Sequence, residues 1–334
     1  MTRATPWGWL WLAVAAGAAV ALPHVFTSLA ARHMLVLIGI NVILVLSLDL
    51  LIGGAGLLSL GHAAFWGIGA YTSALLMKDA GMPFLVALPG AVVAGAVAGV
   101  VIGAPALRLK GHYFAVVTFI VGIIVTILMT NLIGLTRGPM GLTGIPFVTL
   151  ELFGWSHTFV TLIHKVDYYY LVLVFVALTL WLRWRVSASR FGRALSAIKG
   201  DENLAQSVGV PVYRTKLTAF TLSAAIAGMA GSLYAHYTVF ISPDSFTFVH
   251  SFDLFVMNLV GGAGTLLGPV VGPVFLSVAG SLLHDVSPAL SQVIYGVLLI
   301  VVIVVLPTGL VGGAKRFANA LRRPASGVRE RVGK

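Results

Sequence analysis

The sequence has no cysteine and little charge: 21 Lys and Arg and 10 Asp and Glu make up only 9% of its 334 residues. Zero cysteine excludes disulfide frameworks, Cys-ligated zinc and cysteine nucleophiles, and leaves the redox compartment undetermined. The shortage of charge excludes more. Soluble domains carry about 25% charged residues, whereas this chain is 59% hydrophobic with a mean hydropathy of +1.01. A water-soluble fold of this size cannot hide that much apolar surface, so the excess must face lipid. Enzyme motifs are missing as well. No Gly-rich loop ends in Gly-Lys-Ser or Gly-Lys-Thr, so the chain has no Walker A phosphate cradle, and neither a His-Glu-x-x-His helix nor a Gly-x-Ser-x-Gly turn is present. The nine His include no pair at ligand spacing beside a carboxylate, so no metal is expected. Asp49 and Asp253 are the main acids near spans, too few for an obvious proton relay. An enzyme with its own cofactor is not expected.

What is present is a succession of apolar runs. Trp7–Ala31 and Met34–Leu48 come first. Ala63–Met77, Phe84–Ala104, Tyr113–Leu135, Tyr168–Trp184 and Leu217–Tyr237 follow. Two shorter pieces lie between Ser251 and Leu283, and Gln292–Leu306 is last. A helix crosses the hydrocarbon core with about 20 apolar residues. The first run exceeds the roughly 7–15 apolar residues of a signal peptide core. The expected fold is therefore an all-α polytopic membrane protein of about ten crossings, with residues 1–314 forming the membrane domain.

The basic residues set sidedness. Arg183, Arg185, Arg190, Arg193, Lys199, Arg214 and Lys216 form one cluster, and seven more fill the tail at 315–334. Positive residues stay cytoplasmic, so both regions are expected inside, with Arg108 and Lys110 as a smaller inside cluster. Thr136–Asp167 and Phe240–His250 then lie outside, and ten crossings put both termini in the cytoplasm. The charge of +11 borders membrane spans, which argues against nucleic acid as a partner and for membrane lipid.

Two glycine-rich breaks interrupt the runs. "GGAGLLSLGHAAFWGIGAYTSALL" starts at Gly53, and "GGAGTLLGPVVGPVFLSVAGSLL" starts at Gly261. Each follows a predicted outside-to-inside span and leads into a returning one. Broken helices survive at membrane depth only beside protein or water, and paired breaks in corresponding positions point to a transport pathway. The segments form a candidate parallel repeat; close helix packing is the other reading. Gly54, Gly56, Gly262 and Gly264 are candidate pathway positions. Ser59 is expected to cap the helix after the first break. His62, in its first turn, either faces substrate or bonds a backbone carbonyl freed by the break. Asp49 and Asn258, just ahead of the two breaks, carry the same two readings. Tyr71 either lines the path or packs between helices.

One polar stretch stands apart: "RFGRALSAIKGDENLAQSVGV", Arg190–Val210. Asp201 is placed to cap a helix after Gly200. Ala205 and Gly209, four residues apart, are expected on one helix face, with Leu204 and Val208 as an apolar ridge. The segment either engages a partner or lies along the inner membrane surface.

This stretch and "LSLGHAAFWGIGAYTSALL" resemble the LivM-type permease subunit of branched-chain amino acid ABC transporters. "LRLKGHYFAVVT", "RGPMGLTGIP", "YAHYTVFISPDSF" and "GGAGTLLGPVVG" extend the resemblance over roughly Leu46–Leu310. It implies an ATP-driven importer in the bacterial inner membrane, with branched-chain amino acids as cargo. The implied partners are a second, homologous permease subunit in a heterodimer, two cytoplasmic ATPases that bind the ATP, and a periplasmic binding protein. It also makes residues 187–214 a segment coupled to the ATPases, through Arg193, Asp201, Glu202, Leu204, Ala205, Val208 and Gly209. Two positions depart from the family pattern: Ile123, where a polar residue is common, and Arg137, where a glycine often precedes Gly138. A permease for urea or short amides and an ion-coupled secondary transporter are the alternative functions.

Overall fold

A computed structural model describes residues 17–109, 111–152, 155–159 and 165–283, with positions 294, 296, 297, 300, 304, 306 and 308–314 beyond them. The tail at 315–334, Lys110, the start of the first apolar run and most of the last run lie outside the described residues.

Helix α1, Leu29–Asp49, starts at Ser28, whose Oγ accepts the Ala31 N–H, and continues through a π-helical turn, Leu50–Ala55. The chain then forms α2 (His62–Lys78), α3 (Phe84–Ala106), α4 (His112–Asn131) and a single turn α5 (Ile133–Thr136). Helix α6, Lys165–Ala188, precedes two short polar helices, α7 (Arg190–Gly200) and α8 (Glu202–Ser207). The 27-residue α9, Val212–Thr238, and the shorter α10 (Phe248–Gly261) and α11 (Gly268–Leu283) complete the order. Five stretches among the described residues are long and apolar enough to cross a bilayer: Leu29–Ala55, α3, α4, α6 and α9. The expected run Ala63–Met77 falls on α2 and the two shorter pieces on α10 and α11, which are not among these five; the other runs between Met34 and Tyr237 each fall on one of the five. The interval Thr136–Asp167 also contains strands, β2 (Val148–Leu152) and β3 (Trp155–Phe159), paired as an antiparallel hairpin.

Helix α9 is the hub, packed on α3 and α2, while α1 packs on α6. Close approach to α9 depends on small residues. Ala87, Ala91, Gly95, Gly99 and Gly103 recur every fourth residue on the buried face of α3, and a Cβ on Gly95 would lie 2.5 Å from the Ala224 carbonyl oxygen. Such stripes let helices meet in lipid, where apolar burial alone gives no preference for one neighbour over another. The two segments expected outside come together: β1 (Leu142–Thr143) pairs antiparallel with β4 (Phe240–Ile241). At the other end, Lys199 and Tyr213 from the polar segment region bond the Gly53 and Ala104 carbonyls at 2.9 Å each. The outer and inner segments inferred from charge thus gather at opposite ends of the bundle. Arg137, one of the departures from the family pattern, has a left-handed φ of +64°, a conformation that glycine adopts more readily.

Candidate functional site

The first break turns back within the helix bundle. His62 Nε2 lies 2.6 Å from Ser47 Oγ, and Ser47 is eight residues before Ala55, about 12 Å along a helix. The chain therefore descends to Gly56, climbs back through residues 57–61, and begins α2 in the bundle interior. Leu60 N–H bonds Thr118 Oγ1 on α4 at 3.1 Å, which holds the climbing strand.

Ser59 does not cap α2, contrary to its expected role. Gly61 occupies the cap position without a side-chain bond. The Ala63 N–H instead donates to Ser251 Oγ of α10 at 2.9 Å. The cap is supplied across the interface because residues 57–61 are drawn against α4, so Ser59 Oγ is buried and unpartnered.

His62 meets a side chain, not the freed carbonyl of the sequence reading. Ser47 Oγ donates to the Leu44 carbonyl at 2.7 Å, so its lone pairs face His62 and the Nε2 of the ring donates to it. That leaves Nδ1 as a buried acceptor without a partner. In this tautomer His62 is suited to receive an N–H or O–H, not to bind a carboxylate. Ser223 Oγ of α9 donates to the Ser47 carbonyl at 2.6 Å, so Ser47 joins α1, α2 and α9. Asn258 is buried on α10 with both its amide oxygen and nitrogen unpartnered. It lies seven residues from Ser251, on the same helix face. Tyr71 is buried against Phe246, ring centroids 5.9 Å apart, with an unpartnered hydroxyl.

The candidate glycines are brought together. Asp49 Oδ1 accepts the Gly264 N–H at 2.7 Å, and its Oδ2 forms a buried ion pair with Arg183 at 2.8 Å. A Cβ on Gly53 would come 2.6 Å from the Gly264 Cα, so the two Gly-Gly-Ala-Gly stretches touch backbone to backbone. Asp49 is thus a tie between the breaks, not an open group on a path. Gly54 faces Leu195 of α7, Gly56 faces Lys199, and Gly262 faces Thr308. Sequence reasoning missed Ser47, Ser251 and the Asp49–Arg183 pair. An isolated acid at the end of one apolar run, and the basic cluster that begins with Arg183 at the end of another, were the available signal for the last.

The polar segment resolves into two capped helices. Ser189 Oγ accepts the Gly192 N–H to start α7. Asp201 Oδ1 accepts the Asn203 and Leu204 N–H groups to start α8, as expected. Ala205 and Gly209 do not share a helix face, because α8 ends at Ser207. The Val210 N–H bonds the Ala205 carbonyl and the Gly209 N–H bonds the Gln206 carbonyl. This is a Schellman motif with Gly209 at its left-handed position, φ +86°. Its apolar contact is present: Ala205 is buried with Ile198 and Val212, and Val210 packs against them. Leu204 and Val208 stand 65% and 72% exposed, forming the expected apolar ridge. Lys216 of α9 fixes α8 through Glu202 at 2.6 Å, while Arg193 is exposed and bonds the Ala188 carbonyl. No group of metal-ligating side chains occurs among the described residues.

The family described as branched-chain amino acid transport system permease component matches residues 30–303. The chain is 38% identical over 288 residues to the high-affinity branched-chain amino acid transport system permease protein LivM of Salmonella typhimurium, covering 81% of this chain and 67% of that one. Escherichia coli LivM is 38% identical over 287 residues, with the same coverage. The E. coli permease LivH is 29% identical over 274 residues, covering 78% of this chain and 87% of LivH. No solved structure matches.

Proposed function

The chain belongs to the permease family of branched-chain amino acid transport systems, and from that premise we propose that it forms half of the membrane pathway of an ATP-driven importer for branched-chain, apolar amino acids. Ten crossings, with both termini in the bacterial cytoplasm, and a parallel repeat around the two breaks belong to the same proposal. A homologous permease of the LivH kind supplies the other half. Two ATPases bind beneath and hydrolyse ATP, and a periplasmic protein delivers cargo. This chain holds no cofactor of its own.

The observation that carries this reading is the Leu204–Val208 ridge. Two exposed apolar side chains, Leu204 on a capped six-residue helix and Val208 at its C-cap, at the end of the bundle where the basic residues gather, suit an ATPase cleft. Burying both there would contribute about 3–5 kcal/mol. The pathway runs beside the orphaned polar atoms of Ser59, His62 and Asn258, with Tyr71 flanking it. Buried polar groups without partners are costly and mark places where a ligand or water bonds.

The ridge is testable directly because the chain lacks cysteine. Val208→Cys is the only thiol in its variant and should cross-link to the ATPase subunit in the assembled complex. Exclusive cross-linking to lipid or to the partner permease would overturn the ridge as an ATPase contact.

A further inference from the structure

The glycine-rich breaks and the polar segment are far apart in sequence, but the structure joins them at one side chain. Lys199, in the last turn of α7, lays its stem along Gly56 and donates from Nζ to the Gly53 carbonyl at 2.9 Å. Gly53 belongs to the π-helical turn. Such turns offset the carbonyls from the regular ladder and recur at functional sites. Directly behind Gly53 is Gly264 of the second break, whose amide is held by Asp49. Asp49 is in turn held by Arg183, on the helix that leads into α7. Leu195 of α7, almost fully buried, packs toward Gly54. One short polar helix therefore grips the point where the two breaks touch, and only the single residue Asp201 separates it from α8.

We propose that Lys199 is a transmission residue: it fastens α7 to the contact between the two breaks, so that a displacement of α8 moves both breaks as one body. The mechanical role rests on the permease reading; the fastening itself does not. Lys199 touches no reacting group, so it acts by positioning Gly53 and, through it, Gly264. A single charge-assisted hydrogen bond suffices for that function if the alternative is an unpaired carbonyl beside the path. Arg at this position keeps a donor within reach, whereas Met keeps the stem and removes the donor.

Two measurements separate the fastening from its use. First, Gly54→Cys places a lone thiol in the first break, where a Cβ has ordinary clearance, 3.7 Å from Leu195. In the purified chain, adding Lys199→Met should speed labelling of that thiol by a soluble maleimide about tenfold, the scale of one lost charge-assisted hydrogen bond. Lys199→Arg should leave the rate near its original value. An unchanged rate with Met overturns the fastening, and this readout needs neither ATP nor partners. Second, in the reconstituted complex, Lys199→Met should lower cargo moved per ATP hydrolysed while basal ATPase activity persists, and Lys199→Arg should restore the ratio. Faster labelling with an unchanged ratio overturns the transmission role. If the unmodified complex shows no ATP-driven uptake, the permease reading fails, and the labelling result still decides the fastening.

Discussion

Gly209 has open space where a Cβ would project and a φ of +86°, and these two facts separate the explanations for a glycine there. Crowding within the chain is not the reason. The Schellman cap demands a left-handed residue, which costs other L-residues about 1–2 kcal/mol and costs Asn least. Gly209→Asn should therefore retain most uptake and Gly209→Ala should lose several-fold, both with normal membrane insertion. Equal loss in the two variants would mean that the absent side chain matters and the cap does not. At Asp49 the logic is different, because its pair with Arg183 is buried on both sides. Removing one partner leaves an uncompensated charge, at a cost of about 3–5 kcal/mol. Asp49→Asn and Arg183→Met should each lower thermal stability in detergent, and the double variant should lose much less than the sum. Additive losses would show that the two side chains are not coupled.

Among the elements, α2 depends on residues that are distant in sequence. Its first turn is capped by Ser251, and its first residue is held by Ser47. Ser251→Ala should destabilise the start of α2 by about 1 kcal/mol, the usual worth of a cap. Hydrogen exchange of peptides around Ala63 checks this, and unchanged exchange would contradict the cap. Ser59 was the natural sequence expectation, since a hydroxyl just before a helix usually caps it. Nothing local reveals that residues 57–61 are pulled toward Thr118. The helices themselves were legible, because membrane spans follow from run length and every expected run between Met34 and Leu283 has its helix. Asp201 was legible for a related reason: capping is a matter of spacing within a few residues. The β1–β4 pairing joins residues about a hundred positions apart, whereas the strict alternation of Val148–Leu152 was a legible strand signal that a reading by apolar run length passes over.

For the whole molecule, the sequence supplied two Gly-Gly-Ala-Gly breaks and one polar segment, with no sign that they touch. Their contact through Gly53, Gly264 and Lys199 is a tertiary fact, carried by backbone groups that leave no periodic trace. It gives the fold one end where a basic surface, an apolar ridge and both breaks meet. At the other end, the segments after α4 and α9 pair as strands. The proposal that separate ATPases move this chain rests on that first end, where Leu204 and Val208 are exposed.

The measurement closest to that claim is uptake into liposomes by this chain reconstituted with its partner permease, two ATPases and a binding protein. The account predicts that leucine-loaded binding protein stimulates ATP hydrolysis and that leucine enters only when ATP and all subunits are present. Leucine uptake by this chain alone, driven by an ion gradient without ATP, would contradict it; stimulation by urea or short amides but not by leucine would overturn the cargo.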